Sequence, residues 1–532
     1  MMSEARRGMQ RVLANYTNLV ARLTIGIILT PFIVGWLGME AFGLIALVGA
    51  SAGFARLFEQ MTTQSMIREI AAAHHSGDDE RFLRTYNSSF VISIGVASLA
   101  FLVFLIVFLC LPYLNIRDDW LTAARWFVTA QATYTLAQVS LSPAYCVYRV
   151  KEQFWRFAVI MIAERATTLI SAVILALGFH MEDIATAIRA HGLLWTGLLL
   201  LVLTIAVLGA TIADRRLLPR PWYIRRREIR LVLGTVGWNS AVHVAMAMHE
   251  RLAAVIVNVA FGLLGNGVFE LGMRLISYVR MVTLGVTFGL DSAAARVSST
   301  STEQLRSLFH HSTRLHGVIA FPACLGVIAL AEPIMHLWLA GSMEDADTMI
   351  PMAVMVTRVL AAALLARAIS DGWLHIFYGA GYVRQYAPIV LVGGLVSPIV
   401  SAIITWFAWN AQQAGHMPDV IAINAPAFGY ALVFTVVHFF IVPPIGARLI
   451  GLRQRDVYLP LVRPALVTLV CSPILIIAMR TITTWTLVHL VTVIGGFSAI
   501  YWLLTWAFVL TRDERDRVVG AARRRTRFRT VK

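Results

Sequence analysis

Fourteen predominantly apolar stretches divide this chain, at 12–36, 41–63, 88–112, 121–146, 157–179, 190–212, 231–257, 267–290, 315–339, 349–373, 386–409, 422–446, 462–479 and 485–511. A hydrocarbon layer takes roughly 20 such residues per helical crossing, and backbone polar groups inside it must be satisfied within the segment. The expected fold is therefore an all-α polytopic membrane protein with about 14 transmembrane helices. A composition of 58% hydrophobic and 14% charged residues excludes an ordinary soluble enzyme. The basic start, Met1 to Gln10, leads into a segment too long for a signal peptide and lacking a small-residue cleavage site, which predicts a retained span.

One motif occurs twice. Gly35-Trp36-Leu37-Gly38-Met39-Glu40-Ala41-Phe42-Gly43-Leu44 returns 227 positions later (262 − 35) as Gly262-Leu263-Leu264-Gly265-Asn266-Gly267-Val268-Phe269-Glu270-Leu271. In both copies G-x-L-G-x-x-x-F-x-L lies between apolar segments, which predicts a tight glycine-permitted reversal in each of two homologous halves. Asp214 to Arg230, with Pro219 and Pro221, is the longest basic break and the natural seam. The expected layout is a six-helix lobe at 1–213, a basic cytoplasmic linker at 214–230, a second six-helix lobe at 231–446, two extra transmembrane helices within 447–511, and a basic tail at 512–532.

Charge gives the orientation. Of the 45 Lys and Arg residues, 33 fall in alternate loops and termini, four in the other loops (Arg117, Arg125, Arg189, Arg480) and eight within the segments, counting Arg125 and Arg463 with their flanking loops. That bias places both termini inside. The net charge of +16 is thus juxtamembrane and one-sided, so membrane lipids rather than nucleic acid are its expected partners. The run Arg523-Arg524-Arg525-Thr526-Arg527-Phe528-Arg529 reads as a lipid-facing anchor. Cys110, Cys146, Cys324 and Cys471 stand apart without metal-ligand spacing. The only two lysines, Lys151 and Lys532, lie in no phosphate-binding loop, so no built-in ATPase and no cofactor is expected.

Polar residues at depth carry the functional reading. Asn15, Asn18 and Arg22 fall within about 60° of one another on the first segment. A guanidinium at mid-membrane costs at least about 2.5–3.5 kcal/mol unless it meets a partner or a wet cavity. Gln131, Tyr134 and Gln138 share a face of the fourth segment, compatible with a cavity lining that stacks sugar rings and equally with hydrogen bonding between helices. Asn239, His243 and Glu250 share a face of the seventh, with Arg251 turned about 100° away. Glu270 and Arg274 form an i,i+4 pair in the eighth, followed by Arg280, and Arg367, Asp371 and His375 recur every four residues in the tenth, with Arg358 apart.

Eight arginines (Arg22, Arg56, Arg165, Arg251, Arg274, Arg280, Arg358, Arg367) are set against five carboxylates (Glu59, Glu164, Glu250, Glu270, Asp371), a surplus of three. Glu59, Glu270 and Asp371 have same-segment partners in Arg56, Arg274 and Arg367. Arg22, Arg280 and Arg358 have no acidic neighbour along the chain, which predicts a hydrated cavity visited by an anion. Arginine suits phosphate oxygens because its fork binds two at once and stays charged.

The Leu37-Gly38-x-x-x-Phe42-Gly43 reversal, the first segment beginning Asn15-Tyr16, the loop centred on Arg68, the second-half recurrence and Tyr378-Gly379-Ala380-Gly381 before the eleventh segment together resemble the polysaccharide-exporter branch of the multidrug/oligosaccharidyl-lipid/polysaccharide (MOP) superfamily, which includes O-antigen and lipid II flippases. The resemblance implies two six-helix bundles in a V around a cavity that opens alternately to either side. It implies a flippase rather than an enzyme, moving a polyprenyl-pyrophosphate-linked anionic oligosaccharide across the cell inner (plasma) membrane, with a polysaccharide polymerase or glycosyltransferases as protein partners. The family's cationic lumen carries over onto Arg22, Arg280 and Arg358, with Asn18 and Glu250 beside them and Arg251, Arg274 and Tyr134 completing the expected substrate-binding set. The last two segments look like the extra pair of the lipid II and O-antigen flippases. In the lipid II branch that pair forms a groove for the polyprenyl tail. Where the second lobe of the family often starts with an Asp, this chain has Glu250 between His249 and Arg251. Glu250 keeps a cation-coupled multidrug exporter open as an alternative. A membrane-embedded glycan-processing enzyme is disfavoured, because Glu344, Asp345 and Asp347 have no nearby base.

Overall fold

The computed structural model describes residues Glu4 to Asp516, apart from His180, Glu182, Thr235, Val236, Phe288, Ser299 and Asp513. Among these residues it contains helices and no strand. The helices are α1 (Glu4–His75), α2 (Asp79–Cys110), α3 (Asp118–Ser140), α4 (Ser142–Val150), α5 (Phe154–Gly178), α6 (Ile184–Ala213), α7 (Arg226–Gly234), α8 (Gly237–Leu284) and α9 (Leu290–Ser298). They continue as α10 (Thr302–Leu339), α11 (Ala346–Gly379), α12 (Val383–Gln413), α13 (Asp419–Ala422), α14 (Ala425–Thr435), α15 (Val442–Leu449), α16 (Gln454–Thr481) and α17 (Leu487–Phe508).

Eleven helices among the described residues are long and apolar enough to cross a membrane, against the fourteen expected segments. The difference arises at three places. Segments 12–36 and 41–63 run through α1, and most of 231–257 and 267–290 through α8, each helix leaving helical geometry at one glycine inside it, Gly38 (φ 82°, ψ 170°) and Gly262 (φ 68°, ψ −170°). Segment 121–146 is split between α3 and α4 at Leu141, and in α3 the apolar run is diluted by Thr129, Gln131, Thr133, Thr135 and Gln138.

The single break at Gly38 redirects the chain sharply. Arg274 donates from Nη1 to Thr30 Oγ1 at 2.9 Å while its guanidinium lies 4.5 Å from the Phe42 ring centre. Thr30 and Phe42 would be about 18 Å apart along a continuous helix, too far for one guanidinium to touch both. The second break corrects the sequence alignment: it falls at Gly262, 224 residues after Gly38 (262 − 38), not at Gly265. The backbone contacts follow the same spacing. A Cβ on Gly43 would overlap Leu263 O and come to 2.9 Å from Gly267 N, and one on Gly267 would come to 2.6 Å from Met39 O. Since 263 − 39 and 267 − 43 both equal 224, the two contacts are exchanged by the repeat symmetry, as across an isologous interface. Asn266 Nδ2 adds a bond to Gly43 O at 2.9 Å.

Two compact units divide the chain. The first comprises 1–274, 338–356 and 387–433. Its apolar cluster includes Met66, Tyr86, Tyr134, Tyr148 and Leu203. The basic stretch 214–230 packs against α2 within this unit: Tyr86 Oη donates to Leu217 O at 2.9 Å, Arg225 N donates to Ser88 Oγ at 2.9 Å, and Glu228 is buried beside Thr85. The second comprises 275–337, 357–386 and 434–532. There Val318 and Leu330 of α10 pack with Cys471 and Leu475 of α16 and Phe497 and Tyr501 of α17, and Tyr501 Oη donates to Val318 O at 2.8 Å.

Candidate functional site

In the first unit, Asn18 and Arg22 are half-buried on α1, and Asn18 Oδ1 is buried without a hydrogen-bond partner. No described residue forms an ion pair or hydrogen bond with the Arg22 side chain. A charge at that depth, one turn from an unfilled carbonyl acceptor, offers a donor fork and an acceptor on one helical face.

Arg274 is placed differently. Its Nε donates to Glu270 Oε1 at 3.0 Å, and with Thr30 and Phe42 these contacts make it a strut between α1 and α8. Glu250 is half-buried and Arg251 exposed on α8, and a Cβ on Gly53 would meet Arg251 Nε at 2.8 Å, so that glycine leaves the room the guanidinium uses. Tyr134 is corrected: at 1% exposure it is enclosed in the apolar cluster with Tyr86 and Met66, out of reach of a sugar ring. Gln131, on the same face, donates to Thr196 Oγ1 at 3.4 Å, so helix-to-helix bonding describes it. The side chains of Arg56 and Asn239 lie outside the described residues.

In the second unit two expectations change. Arg280 Nη2 lies 3.8 Å from Asp371 Oδ2, and Arg358 Nη2 lies 3.7 Å from Glu332 Oε2 while its Nε donates to Ile328 O at 3.1 Å. Neither lacks an acid, because each finds one on a neighbouring helix rather than along its own. Glu332 stands inside the segment 315–339 and raises the carboxylates at depth to six, so the surplus becomes two (8 − 6). Asp371 also lies 4.0 Å from Arg367 Nε, so one carboxylate faces two guanidinium groups. Asp371 Oδ2 accepts no hydrogen bond. These separations exceed hydrogen-bond length, and the local sum of Arg280, Arg367 and Asp371 is one positive charge.

Comparison with known proteins follows the same lines. The family model described as polysaccharide biosynthesis protein matches residues 36–346. No curated protein matches in sequence. Among solved structures, the lipid II flippase MurJ in an inward closed conformation aligns with a TM-score of 0.64 at 11% identity, covering 93% of this chain and 98% of that one. An inward-facing multidrug resistance MATE family transporter of the MOP superfamily aligns at 0.61 and 13% identity, covering 81% and 98%. A MOP superfamily transporter from Pyrococcus furiosus, described by a reversed polarity of its binding pocket, aligns at 0.52 and 14%, covering 84% and 94%.

Proposed function

The chain belongs to the polysaccharide biosynthesis protein family, and we propose that it is a multi-pass membrane flippase of the MOP superfamily that moves a polyprenyl-pyrophosphate-linked oligosaccharide from the cytoplasmic to the outer leaflet of the plasma membrane. Arg22 is the observation that carries the reading, a half-buried cation on a crossing helix with no acid beside it among the described residues. Such a charge is retained at depth when an anion visits it. Arg280 and Arg358 support it less, since Asp371 and Glu332 offset them. The two halves move by alternating access, with the headgroup held by arginine while the lipid tail stays in the bilayer.

A cation-coupled exporter would rely on carboxylates at depth free to take a proton or Na⁺. Glu270, Glu332 and Asp371 each lie within 4.0 Å of an arginine, which supports that reading less.

The test deletes the gene and follows the lipid-linked oligosaccharide in the inner leaflet. Wild type clears the accumulated intermediate, whereas Arg22→Leu at equal protein level does not. Normal clearance by Arg22→Leu would falsify the reading.

A further inference from the structure

In the second unit, where α10 begins and α17 ends, lies a polar cavity of about 650 Å³, within the size range of small-ligand sites. Arg306, His310 and Arg314 of α10, Arg453 and Asp456 at the start of α16, and Thr511 beyond α17 line it. Arg306 is built into the wall. Its Nε donates to Ile450 O at 2.8 Å, and Gly451, at φ 71°, leaves the space its guanidinium occupies, since a Cβ there would overlap Nη2.

The acids at this cavity are already engaged. Glu514 accepts from Arg314, lies 2.8 Å from His311 Nε2, and accepts from Thr511 N at 2.8 Å and Thr511 Oγ1 at 3.0 Å. Thr511 and Glu514 thus form a capping box that fixes the chain leaving α17 against α10. Glu303, 3.4 Å from Arg306, is 81% exposed at the rim, and Asp456 lies 3.6 Å from Arg455. Arg453 pairs with no described residue, and His310 Nε2 is buried without a hydrogen-bond partner. The N-cap of the 28-residue α16 is Arg453, which makes no side-chain cap, so the positive end of that helix keeps its first-turn N–H donors without a side-chain acceptor.

One to two turns along the same helices, Leu459, Val462 and Phe508 are 65%, 47% and 65% exposed. A cationic recess thus adjoins apolar surface suited to acyl chains. We propose that this cavity binds the phosphate of an anionic membrane-lipid headgroup, with Arg306 and Arg453 as cationic contacts and the first turn of α16 as donor. This site is independent of the cargo's identity and of Arg22.

The full chain is reconstituted into nanodiscs of phosphatidylcholine with and without phosphatidylglycerol, and retained phosphatidylglycerol per protein is measured by native mass spectrometry. Arg306→Gln with Arg453→Gln lowers retention roughly tenfold or more, while the charge-matched Arg384→Gln with Arg463→Gln, at exposed positions outside the cavity, leaves it unchanged. Arg453→Gln alone, which breaks no described contact, gives a smaller fall in the same direction and separates binding from folding. Glycerol phosphate and inorganic pyrophosphate fail to displace the lipid. Equal losses in both double variants would reduce the effect to diffuse surface charge, and displacement by either soluble phosphate would assign the cavity to a soluble ligand; each overturns the proposal.

Discussion

Lys151, one of two lysines in the chain, shows how a single charge is fixed by its surroundings: its Nζ lies 2.7 Å from Asp214 Oδ2, with 19% and 12% of the two side chains exposed. Burial alone would raise the Asp214 carboxyl, but bonds from Arg216 and Lys151 outweigh it and hold the group well below the usual carboxylate range. A carboxyl depressed on folding contributes stability that is full above its unfolded value near 4 and lost as the pH falls towards the folded value. Asp214→Asn is expected to lower the melting temperature at neutral pH by the equivalent of about 1–3 kcal/mol, with wild type and variant converging in acid; parallel melting curves at every pH would refute the linkage. Partners close in sequence were readable in this way, as Glu270 with Arg274 was from i,i+4 spacing. Those of Arg280 and Arg358 were not, because Asp371 and Glu332 lie on other helices and helical periodicity orders only one helix at a time. Tyr134 was unreadable for a related reason, since one polar face can turn to a cavity or to a neighbouring helix and only packing decides.

At the scale of elements, the glycine pairs made the repeat legible and its register ambiguous. Both copies carry Gly-x-x-Gly, at 35 and 38 and at 262 and 265, so a slip of three residues still pairs glycine with glycine. Only φ distinguishes them: Gly38 and Gly262 take positive values that side chains resist, and the other two do not. The corrected register brings Gly43 and Gly267 together as equivalent positions. Gly43→Ala therefore sets a methyl against the backbone of Leu263, which cannot move aside like a side chain, and should destabilise by about 1–3 kcal/mol. Gly49→Ala, in the same helix with nothing within 4 Å, should be neutral or stabilising by up to about 1 kcal/mol. Thermal unfolding of both variants in one detergent is the measurement, and equal behaviour would mean that the close approach carries no stability.

For the whole molecule, sidedness joins charge to geometry. Within the first unit Arg117 lies 3.5 Å from Glu40, just beyond the Gly38 break, and Asn258 donates to Leu114 O near the Gly262 break. One end of these helices thus gathers loops that hold few arginines. Elsewhere in the unit Lys151 pairs with Asp214, Asp214 with Arg216 and Arg216 with Asp79, joining loops rich in basic residues. Contacts group the loops, and the ratio of 33 to 4 basic residues predicts that the basic group faces the cytoplasm, because translocating arginine-rich loops is disfavoured. Tyr113, 80% exposed in the poorly charged group, and Glu80, 62% exposed in the basic group, offer matched reporters. In a Cys110→Ser background, Tyr113→Cys should react with a membrane-impermeant maleimide in intact cells, and Glu80→Cys only after permeabilisation. The opposite pattern would invert the orientation and with it the direction of flipping. It would leave the fold intact, since the helices, their breaks and the glycine crossing depend on hydrocarbon burial and backbone fit rather than on which leaflet holds the positive loops.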